Sequence, residues 1–284
     1  MFYKSPKAYK FLRDQKKFAL PCESLIRRWV NEIELESGII SVKLLKLLSV
    51  KANSMSPFHR ECVLIWDEMS IKTWLDYNSK KDVVEGYTDL GPSFERENKM
   101  AKHALVFLIR GRTKEWRCPI SYTVCHTNVP GPTLSQLILQ IIDFVEMTGF
   151  KVKSMVCDLG TSNSSAIKNL DISEEKPYII RHDRKIFFNY DAPHLIKCLR
   201  NNLMKNNIVF GQKLDKVASW SPIVELFRAE EHVISKSAPN LSDKHLFPEP
   251  FDLLNVSLAT QVFSNSVSKG LYAGLALGEL KNNA

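Results

Sequence analysis

The chain has 284 residues, 44% of them apolar, enough for one large domain or two ordinary ones with a real core. Its six cysteines are scattered with no CxxC pair and no signal peptide ahead of them, which argues against a secreted disulfide framework and for reduced thiols in the cytosol or nucleus; no apolar stretch approaches the ~20 residues that cross a bilayer. The net charge of +8 is uneven: residues 1–60 carry 12 Lys/Arg against 5 Asp/Glu (+7), and the rest carry 27 against 26 (+1), so a polyanion contact, nucleic acid before membrane, is expected at the start of the chain.

Residues 5–36 read as two short helices separated at Ala19, Leu20 and Pro21. In the first, Ala8, Phe11 and Leu12 lie at helical spacing while Lys4, Lys7, Lys10, Arg13, Lys16 and Lys17 stay polar. In the second, Ser24 is a candidate cap, Leu25, Ile26, Trp29, Val30 and Ile33 form an apolar stripe, and Arg27 and Arg28 fall near its start. Such a pair resembles a helix-turn-helix, which presents the start of its second helix to DNA, so Lys10, Arg13, Arg27 and Arg28 are the candidate DNA contacts. A third, Leu-rich helix over Val42 to Val50 is expected only to pack.

From Glu61 the pattern changes to strands. In ECVLIWDEMSIK, the apolar run Val63 to Trp66 reads as a buried strand that ends on Asp67 and Glu68. Because neighbours on a strand face opposite sides, Glu68 is expected to point away from Asp67. A polar turn (Asp76 to Asp82) and a short strand around Val83 to Thr88 follow, then strands over His103 to Arg110 and Trp116 to Cys125. Leu134, Leu137, Ile138, Ile141, Ile142 and Val145 then recur at helical spacing up to Gly149. A second strand, Val152 to Asp158, also finishes on an acid, and after it come a helix from about Ser162 to Leu170 and a strand near Tyr178 to Arg181.

This is the order of an RNase H-like α/β fold, a mixed sheet with flanking helices, in which the first and fourth strands are parallel neighbours. Asp67 and Asp158 would then share a divalent cation, Mg²⁺ or Mn²⁺. Phe187 to Tyr190 lead into Asp191 and a helix over Pro193 to Asn206 with Lys197 and Arg200, and further helices are expected near Ile223 to Ala229 and Leu253 to Leu275. The expected domains are a helical region (1–60), an RNase H-like domain (61–186) and a separate, mainly helical unit (187–284). Trp74, Trp116 and Trp220 read as core or rim aromatics, and His194 as a helix-start residue rather than a ligand. The sequons at Asn163, Asn240 and Asn255 read as incidental.

The stretches WDEMSIK (66–72), CDLGTSN (157–163), DAPHLIKCLRNNL (191–203) and ATQVFSNSV (259–267) together resemble the P-element class of THAP-type DNA transposases. SPKAYKFLR (5–13) and LPCESLIRRW (20–29) resemble the helix-turn-helix region before its catalytic domain. The resemblance implies an RNase H-like domain, with its N-terminal part at 61–186, interrupted by a GTP-binding insertion domain, present in part at 187–284; it also implies nuclear location, DNA as partner and possible homo-oligomers. It implies that two Asp and one Glu hold two divalent metals, with Asp67 matching the first acid and Asp158 the second, and that Asp191 and Lys197 lie where the insertion domain begins and helps to hold nucleotide. It also sets expectations about what is missing: no zinc-coordinating THAP domain precedes SPKAYKFLR, and the third acid should lie beyond Ala284, so strand transfer by this chain alone is not expected. The competing expectations are a DNA-binding remnant or host-adopted protein without metal chemistry, and a nuclease completed by Glu85, Asp183 or Asp191.

Overall fold

The computed structural model describes residues 2, 4–15, 18–31, 37–38, 40–79, 82–211, 213, 215–278 and 280. The expectations for Lys16, Lys17, Ile33 and part of the Asp76–Asp82 turn lie outside the described residues, as do those for the side chains of Trp29 and Val30. The chain forms two compact units, Met1–Asn189 and Tyr190–Ala284.

The first unit opens with α1 (Pro6–Asp14), whose first turn is capped by the Ser5 hydroxyl accepting from the Ala8 amide, and α2 (Glu23–Asn31). The buried side of α1 differs from the one expected from spacing. Phe11 is 60% exposed and Tyr9 is buried, because Tyr9 packs edge-on against Phe2 and its hydroxyl donates to the Pro21 carbonyl at 2.7 Å. A buried tyrosine needs a partner for its hydroxyl, and the Pro21 carbonyl supplies one. In α3 (Val42–Asn53), Leu44, Leu48 and Ala52 recur every fourth residue and form the buried stripe.

Strand β1 (Glu61–Ser70) alternates strictly: Cys62, Leu64 and Trp66 are buried, whereas Asp67 is exposed. Between β1 and β6 the chain makes two small ribbons, β2 (Asp76–Asn78) with β3 (Val83–Glu85), and β4 (Tyr87–Thr88) with β5 (Glu97–Met100). Trp74 stands beside them 70% exposed and is not a core aromatic, whereas Trp116 packs against the Phe150 ring at 4.9 Å. Strands β6 (His103–Gly111) and β7 (Arg117–Cys125), helix α4 (Gly131–Met147), β8 (Lys151–Cys157), α5 (Thr161–Asn169), β9 (Tyr178–Arg181) and β10 (Arg184–Tyr190) complete the unit. All six residues of the apolar stripe foreseen for α4 are buried.

The main sheet has the order β7-β6-β1-β8-β10-β9. β1 is antiparallel to β6 and parallel to β8, the neighbour relation expected of an RNase H-like order. Residues 187–190, which in the sequence looked like the approach to the insertion, are the second half of β10, a strand lying between β8 and β9. Its hairpin with β9 turns through His182 and Asp183, both at positive φ (48° and 56°), a geometry usually announced by Asn or Gly. Neither residue gives that signal, so the strand was hidden.

The second unit contains α6 (Ala192–Leu203), a ribbon of β11 (Ile208–Phe210) and β12 (Lys216–Ala218), α7 (Ser221–Ala229), α8 (Asp243–Leu246), α9 (Val256–Val262) and α10 (Asn265–Ala276). Leu203, Ile223, Leu226, Leu246, Val262 and Val267 are central to its core. Ser264 caps α10 and divides the single helix expected over Leu253 to Leu275. Among the described residues no helix is long and apolar enough to cross a membrane.

Candidate functional site

The acid ends of β1 and β8 lie at the same end of the sheet, and one irregularity sets their register. Pairing runs Glu61 with Lys151 and Cys62 with Val152, then skips Lys153, so that Val63 faces Ser154 and Ile65 faces Val156. Two residues beyond that last pair lie Asp67, still in β1, and Asp158, just past the end of β8. Without this bulge the same count would reach Cys157 instead of Asp158. Burial and the negative charges of Asp158 and then Asp67 push the Cys157 thiol up strongly, so the fields of both carboxylates converge there.

Each acid is held by its own surroundings. Asp67 Oδ1 accepts from the Glu68 amide at 2.9 Å, and the side chain is exposed. Asp158 lies in the short loop between β8 and α5, where its Oδ1 accepts from the Gly160 amide at 2.9 Å and from Asn163 Nδ2 at 2.6 Å. Asn163 Oδ1 accepts in turn from Trp66 Nε1 at 2.7 Å. Gly160 leaves room for this turn, since a Cβ there would sit 3.0 Å from Asp158 Oδ1.

Glu68 occupies the same face of β1 as Trp66. It lines a cavity of about 180 Å³ with Asp158, Asn163, Asn128, Ser162 and Gly160, and pairs with His103 Nδ1 at 3.0 Å. Burial holds its carboxyl above the usual carboxylate range; the His103 charge opposes that shift, and the charges of Asp158 and Asp67 reinforce it. Glu68 therefore faces away from Asp67 along the strand yet senses both acids. Sequence reasoning gave Glu68 no role and read Asn163 only as an incidental sequon; the one available signal was their place inside the two motifs.

The donor set fits a small divalent ion in kind, because carboxylate oxygens suit Mg²⁺ and Mn²⁺. Among the described residues no three of His, Cys, Asp and Glu gather as a metal-binding group. Of the alternative acids, Glu85 accepts from Asn78 in the first ribbon and Asp183 forms the β9–β10 turn. Asp191 caps α6, its Oδ2 accepting from the His194 amide at 3.2 Å and meeting His194 Nδ1 at 2.7 Å. Lys197 lies half-buried on the same helix. Arg200, fully buried, donates to the carbonyls of Asp252 and Leu253 at 3.2 and 3.0 Å, tying α6 to the segment before α9.

Of the four candidate DNA contacts, Arg13 pairs with Asp14 at 3.1 Å and Arg27 stacks over the Phe2 ring at 5.4 Å. Lys10 and Arg28 are exposed. Of the cysteines, Cys62, Cys125 and Cys157 are buried and Cys22 and Cys198 exposed, and all six are free thiols. Burial pushes the Cys62 and Cys125 thiols up to about 12.

Residues 37–171 match the family described as TNP-like, RNase H N-terminal domain, and residues 193–282 match TNP-like, GTP-binding insertion domain. The chain is similar to the transposable element P transposase of Drosophila melanogaster, at 26% identity over 283 residues, covering 98% of this chain and 34% of that protein. Its fold is similar to that in the Drosophila P element transposase strand transfer complex, with a TM-score of 0.75 at 24% identity, over 98% of this chain and 58% of that one. The chain thus spans about a third of the length of the curated relative it matches. It is related to the P-element transposase and carries a TNP-like RNase H N-terminal domain followed by a TNP-like GTP-binding insertion domain.

Proposed function

We propose that this chain is a transposase-derived, DNA-binding protein in which Asp67 and Asp158 supply two ligands of a divalent-metal site for phosphoryl transfer on DNA. The observation that supports the reading is that β1 and β8 are parallel neighbours, with Asp67 and Asp158 each two residues beyond their last paired residues. Rigid strands are suited to hold ligands at a fixed separation. When bound, Mg²⁺ or Mn²⁺ ions supply charge stabilisation at the entering and leaving oxygens of a DNA phosphate. The chain's own part is to orient the carboxylates, and to bring DNA to them through the exposed cations of residues 1–60.

A third carboxylate completes such a site in this reading, and among the described residues none joins the pair. The transposase relative supports DNA as the partner and the nucleus as the place of action. In the second unit, Lys197 on α6 is the residue we assign to nucleotide phosphate, and GTP is the nucleotide suggested by the family of residues 193–282. Asp191 would serve by capping that helix and setting its first turn.

The test is a gel with duplex DNA and Mg²⁺ or Mn²⁺, comparing the unaltered chain with the Asp67→Asn, Asp158→Asn double variant, alongside direct titration of Mn²⁺ by electron paramagnetic resonance. The expected result is a shifted band in both proteins, Mn²⁺ binding only in the unaltered chain, and no nicking. Nicking that the double variant loses would show that a further acid completes the site. Absence of both the band shift and Asp-dependent Mn²⁺ binding would overturn the reading.

A further inference from the structure

We infer that Trp66 and Asn163 form a hydrogen-bonded relay that orients Asp158, making Asn163 a positioning residue of the acid pair; the consequence for metal binding rests on the reading just given. An asparagine amide has one accepting and one donating end of nearly the same shape, so what surrounds it decides which way it faces. An indole N–H can only donate. Trp66 Nε1, 2.7 Å from Asn163 Oδ1, therefore fixes the accepting end toward β1 and turns the NH₂ onto Asp158, 2.6 Å from Oδ1.

The reference point is rigid. Trp66 is 1% exposed, packed near the Phe107 ring, and sits on a central strand of the sheet. Asp158 Oδ1 receives two donors, the Asn163 amide and the Gly160 N–H. Among the described residues no hydrogen bond is made to its Oδ2, which is left as the free ligand oxygen. Because Trp66 immediately precedes Asp67, the relay references both acids to one strand: Asp67 through the backbone, Asp158 through two side chains and the first turn of α5. The separation of the carboxylates is then set by side-chain hydrogen bonds as well as by the sheet ladder. Groups that orient a metal ligand typically change metal affinity 10–100-fold when removed.

Two measurements on the full chain separate the relay from its consequence. The first needs no metal: the indole N–H resonance of Trp66, assigned by its loss in Trp66→Phe, is followed by ¹H–¹⁵N NMR. Asp158→Ala is expected to displace it in the unaltered chain and not in the Asn163→Ala background. Displacement of equal size in both, or none in either, overturns the relay. The second is Mn²⁺ titration. Asn163→Ala, and the similarly sized Asn163→Leu, which offers Asp158 no donor and the metal no ligand, are expected to weaken Mn²⁺ binding 10–100-fold. Asp158-dependent Mn²⁺ binding that is unchanged in both variants overturns the positioning role. Absence of Asp158-dependent Mn²⁺ binding in the unaltered chain overturns the metal reading instead, and the NMR result then decides the relay by itself.

Discussion

Glu68 sits in surroundings at odds with its charge. Burial comes first, and the nearby carboxylates of Asp158 and Asp67 add to it, so the folded chain holds the Glu68 proton more tightly than the unfolded chain does. A raised folded value means stability that is fully present below the ordinary carboxylate range and lost as pH rises through the Glu68 value. Relative to Glu68→Gln, the unaltered chain should therefore lose thermal stability as pH climbs from about 4 toward neutrality, within the usual spread of carboxylate titrations. Melting temperatures of the two proteins across that range check this, with a pair of His103→Gln variants to remove the partner's own titration. A difference that stays flat with pH would mean that Glu68 is as well solvated folded as unfolded.

At the scale of elements, two devices place the acids. The bulge at Lys153 sets the β1–β8 register, and the close approach of α4 to α5 holds the helix that carries Asn163. That approach depends on Gly131, where a Cβ would meet Ser165 Oγ at 2.2 Å and Ser165 Cβ at 2.4 Å. Gly131→Ala should thus cost about 1–3 kcal/mol by overpacking, read as a lower midpoint in urea with an unchanged slope. A stability equal to that of the unaltered chain would show that α5 can shift at no cost, and would weaken the case for a rigid α5 behind Asn163.

For the whole molecule, the decisive property is where the charge lies. The +7 of residues 1–60 predicts DNA binding that falls steeply with salt. Lys10 and Arg28 are exposed, so changing both to Gln should reduce the slope of log K against log salt by about 2, roughly one for each phosphate no longer neutralised. Arg13 and Arg27 already meet Asp14 and the Phe2 ring, and their Gln variants should change the slope less. Fluorescence anisotropy with a labelled duplex at several salt concentrations measures both. Equal slopes in all the variants would move the DNA-binding surface away from this region.

What the sequence by itself determined is local. The six-residue apolar stripe of α4 and the runs ending on Asp67 and Asp158 could be read directly, because helical and strand periodicities are written in neighbouring residues. The parallel placement of β1 and β8 followed from the order of elements, and the four motifs carried the family resemblance. The tertiary structure decided the rest. A one-residue bulge set the register of β8 on β1, a hairpin without Gly or Asn at its turn brought β10 into the sheet, and Tyr9 rather than Phe11 was buried, against Phe2 and with its hydroxyl on the Pro21 carbonyl. The hydrogen bonds among Trp66, Asn163 and Asp158 join residues as many as 97 positions apart. Their meeting depends on long-range strand register and on the packing of α5, which no short stretch of sequence encodes.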